Sequence, residues 1–132
     1  MTLRDLILSD AANAARTDAQ VLAWLLETVT APDPTRVTTT TVMARLSPAD
    51  AATVFGTLTA AAASNALVAE AVIQLRGDGL DLSHANARAM IDSLFAEPLR
   101  STLKALGERQ VPRWQAHGLR APKLGHVAEA RA

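Results

Sequence analysis

Three histidines, His84, His117 and His126, are the side chains best suited to proton transfer or metal ligation near neutral pH. A metal site on a helix needs two such ligands four residues apart, or an HExxH run that adds a general base on the same face. No pair of these histidines has that spacing, and His84 follows a serine of the kind that caps helices. Capping or surface roles are therefore expected for all three. Gly77-Asp78-Gly79 lacks the third glycine, the preceding strand and the lysine of a phosphate-cradling loop, so it reads as a turn. Asp78 and Asp81 fall short of the oxygen ligands and terminal Glu of a calcium loop. Ser47, Ser64, Ser83 and Ser101 lie in no GxSxG elbow. With no cysteine, thiolate catalysis, disulfides and Cys-type zinc sites drop out together. The sequence reading assigns no catalytic, cofactor-binding or metal residue and expects a protein that is not an enzyme.

Charge is the more informative pattern. Residues 1–98 hold six basic and eleven acidic side chains, whereas residues 99–132 hold seven basic and two acidic. The formal net charge of zero hides two opposed parts. Arg100, Lys104, Arg109, Arg113, Arg120, Lys123 and Arg131 could neutralise phosphates, and such binding would be strongest at low salt. A recognition helix over Ser83 to Phe95 would offer only Arg88, His84 and Asn86, among Asp78, Asp81, Asp92 and Glu97. A nucleic-acid-binding regulator using the basic segment is thus the alternative reading, with nucleic acid disfavoured as a partner. The basic segment could equally neutralise the acidic body in cis. Trp114 either packs back onto that body or, with Arg113 and Leu119, faces a partner, since Trp and Arg concentrate at binding hot spots.

The elements that must position these residues are helical almost throughout. Thr17 and Gln20 fit a capping box ahead of the stripe Val21, Leu22, Leu25, Leu26 and Val29. Pro32 and Pro34 must break that helix. Val37 to Thr41 is β-branched, but with no visible partner strand it is expected to be a connector into a short helix. Ser47-Pro48 opens a helix with the apolar face Ala51, Val54, Phe55, Leu58 and Ala62. The run Leu67 to Leu75 is apolar most of the way round and is placed at the centre, buried on several sides. Ser83 is expected to cap the helix whose stripe is Ala87, Met90, Ile91 and Leu94. Pro98 opens the next, Gly107 ends it, and Pro112 begins a short helix ended by Gly118. A last turn runs from about His126 to Arg131.

The fold class expected is all-α: a compact bundle of about five or six short helices over residues 1–108, with an irregular basic tail over 109–132 in a single domain. Scarce aromatics (Trp24, Trp114, Phe55 and Phe95) leave an aliphatic core. No apolar stretch approaches the roughly 20 residues of a membrane span. The start MTLRDLILSD lacks a signal-peptide core, so a soluble, non-secreted protein is expected. Deleting Gln110 to Ala132 is expected to cost on the order of 2–4 kcal/mol, mainly through Trp114 and Leu119 burial.

The C-terminal pattern RW-x-x-x-GL followed by G-x-V-x-x-ARA resembles the ending of a loose set of small helical proteins encoded by tailed bacteriophages. The matching positions are Arg113, Gly118, Leu119, Gly125, Val127, Ala130 and Arg131. Near the start, Asp18, Ala19, Val21 and Leu25 match the D-A-x-V-x-x-x-L helix of the same proteins, whereas residues 31–106 match only in being helical and alanine-rich. Pro112 stands where a serine is usual, and His126 replaces the usual acid. The resemblance implies a phage structural or assembly protein near the tail, located in the virion or host cytoplasm. It would work through contacts with phage structural proteins or itself. Arg113, Trp114, Leu119, Arg120, Lys123, Val127 and Arg131 are the candidate interaction residues, and no cofactor or membrane is implied.

Overall fold

A computed structural model describes residues 1–132. The chain folds as two compact units: Pro32–Arg109, contiguous, and a second built from both chain ends, Met1–Ala31 with Gln110–Ala132. The division departs from a 1–108 bundle carrying a 109–132 tail, because the tail is half of a folded unit. The molecule is mostly helical, with nine helices and one small two-stranded sheet, so the all-α expectation is corrected.

In the contiguous unit, helices α3 (Thr39–Arg45), α4 (Pro48–Ala62), α5 (Ala66–Arg76), α6 (Ala85–Leu94) and α7 (Leu99–Ala105) enclose an aliphatic core. Local chemistry starts each of the longer ones. Ser47 Oγ accepts from Asp50 N–H with Pro48 at the first helical position, and Asn65 Oδ1 accepts from Leu67 and Val68 N–H. Val54, Leu58, Val68, Leu75, Ile91 and Leu103 are buried together. Val37 and Leu80 exchange two backbone hydrogen bonds, at 2.9 and 2.8 Å, in an isolated antiparallel bridge. The β-branched run thus does find a partner, though a single residue pair rather than a sheet.

Two glycines here are required by space. Gly79 has φ +104°, and a Cβ there would also stand 2.7 Å from Arg36 Cβ. A Cβ on Gly107 would lie 2.5 Å from the Leu82 carbonyl, backbone that has no room to yield. Gly107 ends α7 as expected, and its N–H donates to Lys104 O.

The other unit begins with α1 (Leu3–Leu8), a 3-10 turn (Ala11–Ala15) and α2 (Asp18–Leu26). The Thr17–Gln20 capping box forms as read: Gln20 N–H donates to Thr17 Oγ1 at 3.2 Å, and Thr17 N–H to Gln20 Oε1 at 2.8 Å. After α2 the chain extends as β1 (Thr28–Pro32), pairing with β2 (Glu108–Pro112). Flanking bonds Arg113 N–H to Glu27 O (2.9 Å) and Asp33 N–H to Gly107 O (2.8 Å) fix an antiparallel register. Through these two strands the chain leaves this unit and returns. Helices α8 (Arg113–Ala116) and α9 (Leu124–Arg131) then close it. Leu6, Ile7, Val21, Trp24, Leu25 and Val127 form its core.

This pairing of chain ends also resolves the charge asymmetry. Residues 32–109 carry seven basic and eight acidic side chains, and the two chain ends together carry six and five. Each unit is close to neutral, although the linear sequence is sharply divided.

Candidate interaction surface

Four of the seven C-terminal candidates are spent inside the unit that the chain ends form. Val127 is 0% exposed, locked among Leu6, Val21 and Leu25. Leu119 and Ala130 are half-buried against the same cluster. Arg131 donates to Asp18 Oδ1 at 2.6 Å, to Arg16 O at 2.7 Å and to Asn13 O at 3.1 Å. Arg113 donates to Glu27 Oε2 at 3.0 Å and to Trp24 O, while its guanidinium carbon lies 4.3 Å from the Trp24 ring centroid. A planar guanidinium with five donors suits such shared duty, bonding through its edge while its face lies over an aromatic ring.

Trp114 is half-buried, and its indole N–H is enclosed without an acceptor. The packed tryptophan of this unit is instead Trp24. Arg120 and Lys123 are exposed and take part in none of the ion pairs. Of the seven C-terminal cations, Lys104, Arg113 and Arg131 form ion pairs and Arg100 donates to Phe95 O.

Two of the three histidines cap helices, and His117 is exposed at the end of α8. His84, not Ser83, caps α6: its Nδ1 accepts from Asn86 N–H at 3.2 Å. Ser83 donates instead to Asp81, through Oγ at 2.5 Å and N–H at 2.9 Å. His126 Nδ1 accepts from Lys123 N–H at 3.1 Å, a bond that a carboxylate at the same position could also accept. No group of three or more His, Cys, Asp or Glu side chains is gathered as metal ligands, and no helix is long and apolar enough to cross a membrane.

The surface that sequence reasoning missed lies on α5. Its apolar circumference led to a central placement, but only Val68, Ala71 and Leu75 are buried. Leu67 and Ile73 are 59% and 63% exposed on the outward side, with Glu70 and Gln74. Beside it is a groove of about 400 Å³. Leu67, Ala71, Leu80, Ala87 and Met90 supply its apolar lining; Arg36, Glu70, Gln74, Asp81, His84 and Asn86 supply its polar one. The two Ser83 bonds, side chain first and then backbone, hold the Asp81 carboxyl below its ordinary value. Arg36 Nη1 donates to Gly79 O at 3.2 Å. The signal for this surface was present in the sequence as an excess of apolar residues around one helix, read as burial rather than as a free face.

Comparison with protein-family models, curated proteins and solved structures finds no match to this chain. Residues of the C-terminal segment and of α2 lie together in the unit formed by the chain ends. Asp18 pairs with Arg131, Val21 and Leu25 pack in one cluster with Val127, and Gly118 takes φ +71° just beyond α8.

Proposed function

We propose that this chain is a non-enzymatic structural or assembly protein of a tailed phage, acting through protein–protein contact. The observation that carries the contact reading is α5, a helix apolar nearly all round yet buried on one face only, leaving Leu67 and Ile73 in water. Exposed aliphatics on one helix, with Leu67 at the side of a groove, are the kind of surface that a partner covers. The phage attribution rests on the C-terminal and α2 patterns, whose residues converge on one folded unit. Consumption of Arg113, Val127 and Arg131 in cis moves the interaction surface from the C-terminal segment to α5. The same consumption weighs against the nucleic-acid reading, because a phosphate backbone would have to compete with Asp18 and Glu27 for those arginines.

Mass spectrometry and cross-linking of purified phage particles test this function. The chain is expected in the particle or on an assembly intermediate, cross-linked near α5. The double substitution Leu67→Asp/Ile73→Asp should keep the fold and lower that association roughly ten-fold, the scale of one lost apolar anchor. Absence from particles and from every assembly intermediate would overturn the proposal.

A further inference from the structure

We infer that the groove beside α5 is a binding site for a short peptide segment that presents one lysine or arginine next to an aliphatic side chain. The inference rests on the protein–protein reading above and specifies the chemistry of the partner. The lining is of two kinds. Ala71, Ala87 and Met90 are buried under the groove, and Leu67 stands exposed at its side. A Lys or Arg side chain has the same composition, a hydrocarbon stem with a cationic head.

The charges decide the sign. Glu70 on α5 and Asp81 before α6 line the groove, and neither belongs to any of the ion pairs. Asp81 is oriented by Ser83, so its carboxylate is fixed and ionised; the Arg36 guanidinium also acts on it, but no ion pair forms. Arg36 offsets one of the two carboxylates, and one of its N–H groups is already committed to Gly79 O. Among these three charged side chains one negative charge is left over, and the complement is a single cation. Gln74 and Asn86 add amide donors and acceptors suited to a peptide main chain. A volume of about 400 Å³ suits one side chain and its neighbour rather than a folded domain.

The probes are two blocked peptides, acetyl-Leu-Arg-Leu-Leu-amide and acetyl-Leu-Glu-Leu-Leu-amide, titrated into the full chain and followed by backbone amide NMR. The arginine peptide should shift the amides of Glu70, Asp81 and Asn86 and bind at least about five-fold more tightly, the scale of one half-exposed ion pair. Glu70→Gln should weaken that peptide about five-fold, whereas Arg36→Gln should tighten it, and a merely unfolded groove would move both variants the same way. Equal binding of the two peptides, shifts confined to other residues, or the same sign for both variants would overturn the inference. The function proposed above fails separately. A Glu70→Gln/Asp81→Asn chain that still associates with particles removes the groove and leaves the contact reading intact. Absence from particles together with peptide binding does the reverse.

Discussion

The two units reach stability by different routes. Residues 32–109 form a contiguous stretch with fifteen buried apolar residues in one cluster, and each of its longer helices starts at its own local cap or turn. The chain-end unit has six buried residues in its cluster, drawn from segments about a hundred residues apart. A core that small is marginal without additional fastening. Here the fastening is polar: of the five ion pairs in the chain, Arg16–Asp10, Arg113–Glu27 and Arg131–Asp18 lie in this unit. The arginines also satisfy backbone carbonyls at Trp24, Arg16 and Asn13. Buried Asn13 joins them, donating from Nδ2 to Ile7 O at 2.9 Å and accepting from Arg16 at 2.6 Å. A unit assembled across a long connection must offset the entropy of closing it with few side chains. Its cohesion therefore rests on particular residues, while that of the contiguous unit is spread through its core.

Deleting Gln110–Ala132 should break this contrast most sharply. The loss would expose Leu6, Val21 and Leu25, whose partner Val127 is fully buried, and remove both Arg113 and Arg131. Amide hydrogen exchange should show α1 and α2 losing protection entirely while α4 and α5 keep theirs. Val127→Asp should do nearly the same, since an unpaired carboxylate at a fully buried site costs several kcal/mol. Protection lost equally from α4 would show that the contiguous unit depends on the chain ends, and the contrast would fall. Val127, rather than Trp114, is the anchor that this deletion removes.

The same contrast explains what could be read from residue order. Caps at Thr17 and Ser47 and the stripe Ala87, Met90, Ile91 act within a few residues, so they are visible as local patterns. The β1–β2 ladder was not, because Thr28–Pro32 finds its partner about eighty residues away and neither strand alternates strongly enough to announce itself. The pairing of the chain ends was hidden likewise: a basic segment signals only a need for acid, not which acid, and Asp18 and Glu27 look like ordinary helix-terminus residues. On α5 periodicity failed in the opposite way. Apolar residues all round a helix do not distinguish burial on every side from one free face.

A smaller perturbation sharpens the comparison at a single clamp. Arg131→Ala removes the bond to Asp18 and those to two carbonyls, but the arginine and aspartate side chains are 23% and 41% exposed, so water recovers part of the loss. A destabilisation of about 1 kcal/mol is expected, confined to exchange in α1, α2 and α9. Arg131→Lys should recover little of it, since the Asp18 bond and the two carbonyl bonds leave from different guanidinium nitrogens and lysine has only one. Full recovery by lysine would reduce the clamp to simple charge pairing.

Acid should produce the smallest effect, read at four individual carboxyls. Asp33, Asp81 and Asp92 in the contiguous unit are held below the ordinary carboxylate value, by Thr35, Ser83 and Lys104 hydrogen bonds respectively, and Asp5 in the other unit by Thr2. A carboxyl whose folded value is depressed contributes stability in full above its unfolded value of about 3.9 and loses it as pH falls through the lower folded value. Stability should therefore be flat with respect to these groups above about pH 5 and decline below pH 3.9. Carboxyl-carbon NMR should find the Asp81 midpoint below that of an unstructured aspartate, and Ser83→Ala should raise it toward the ordinary value. A midpoint for Asp81 that ignores Ser83→Ala would mean that the serine does not orient the carboxylate, and the rigid anion assigned to the groove would lose its support.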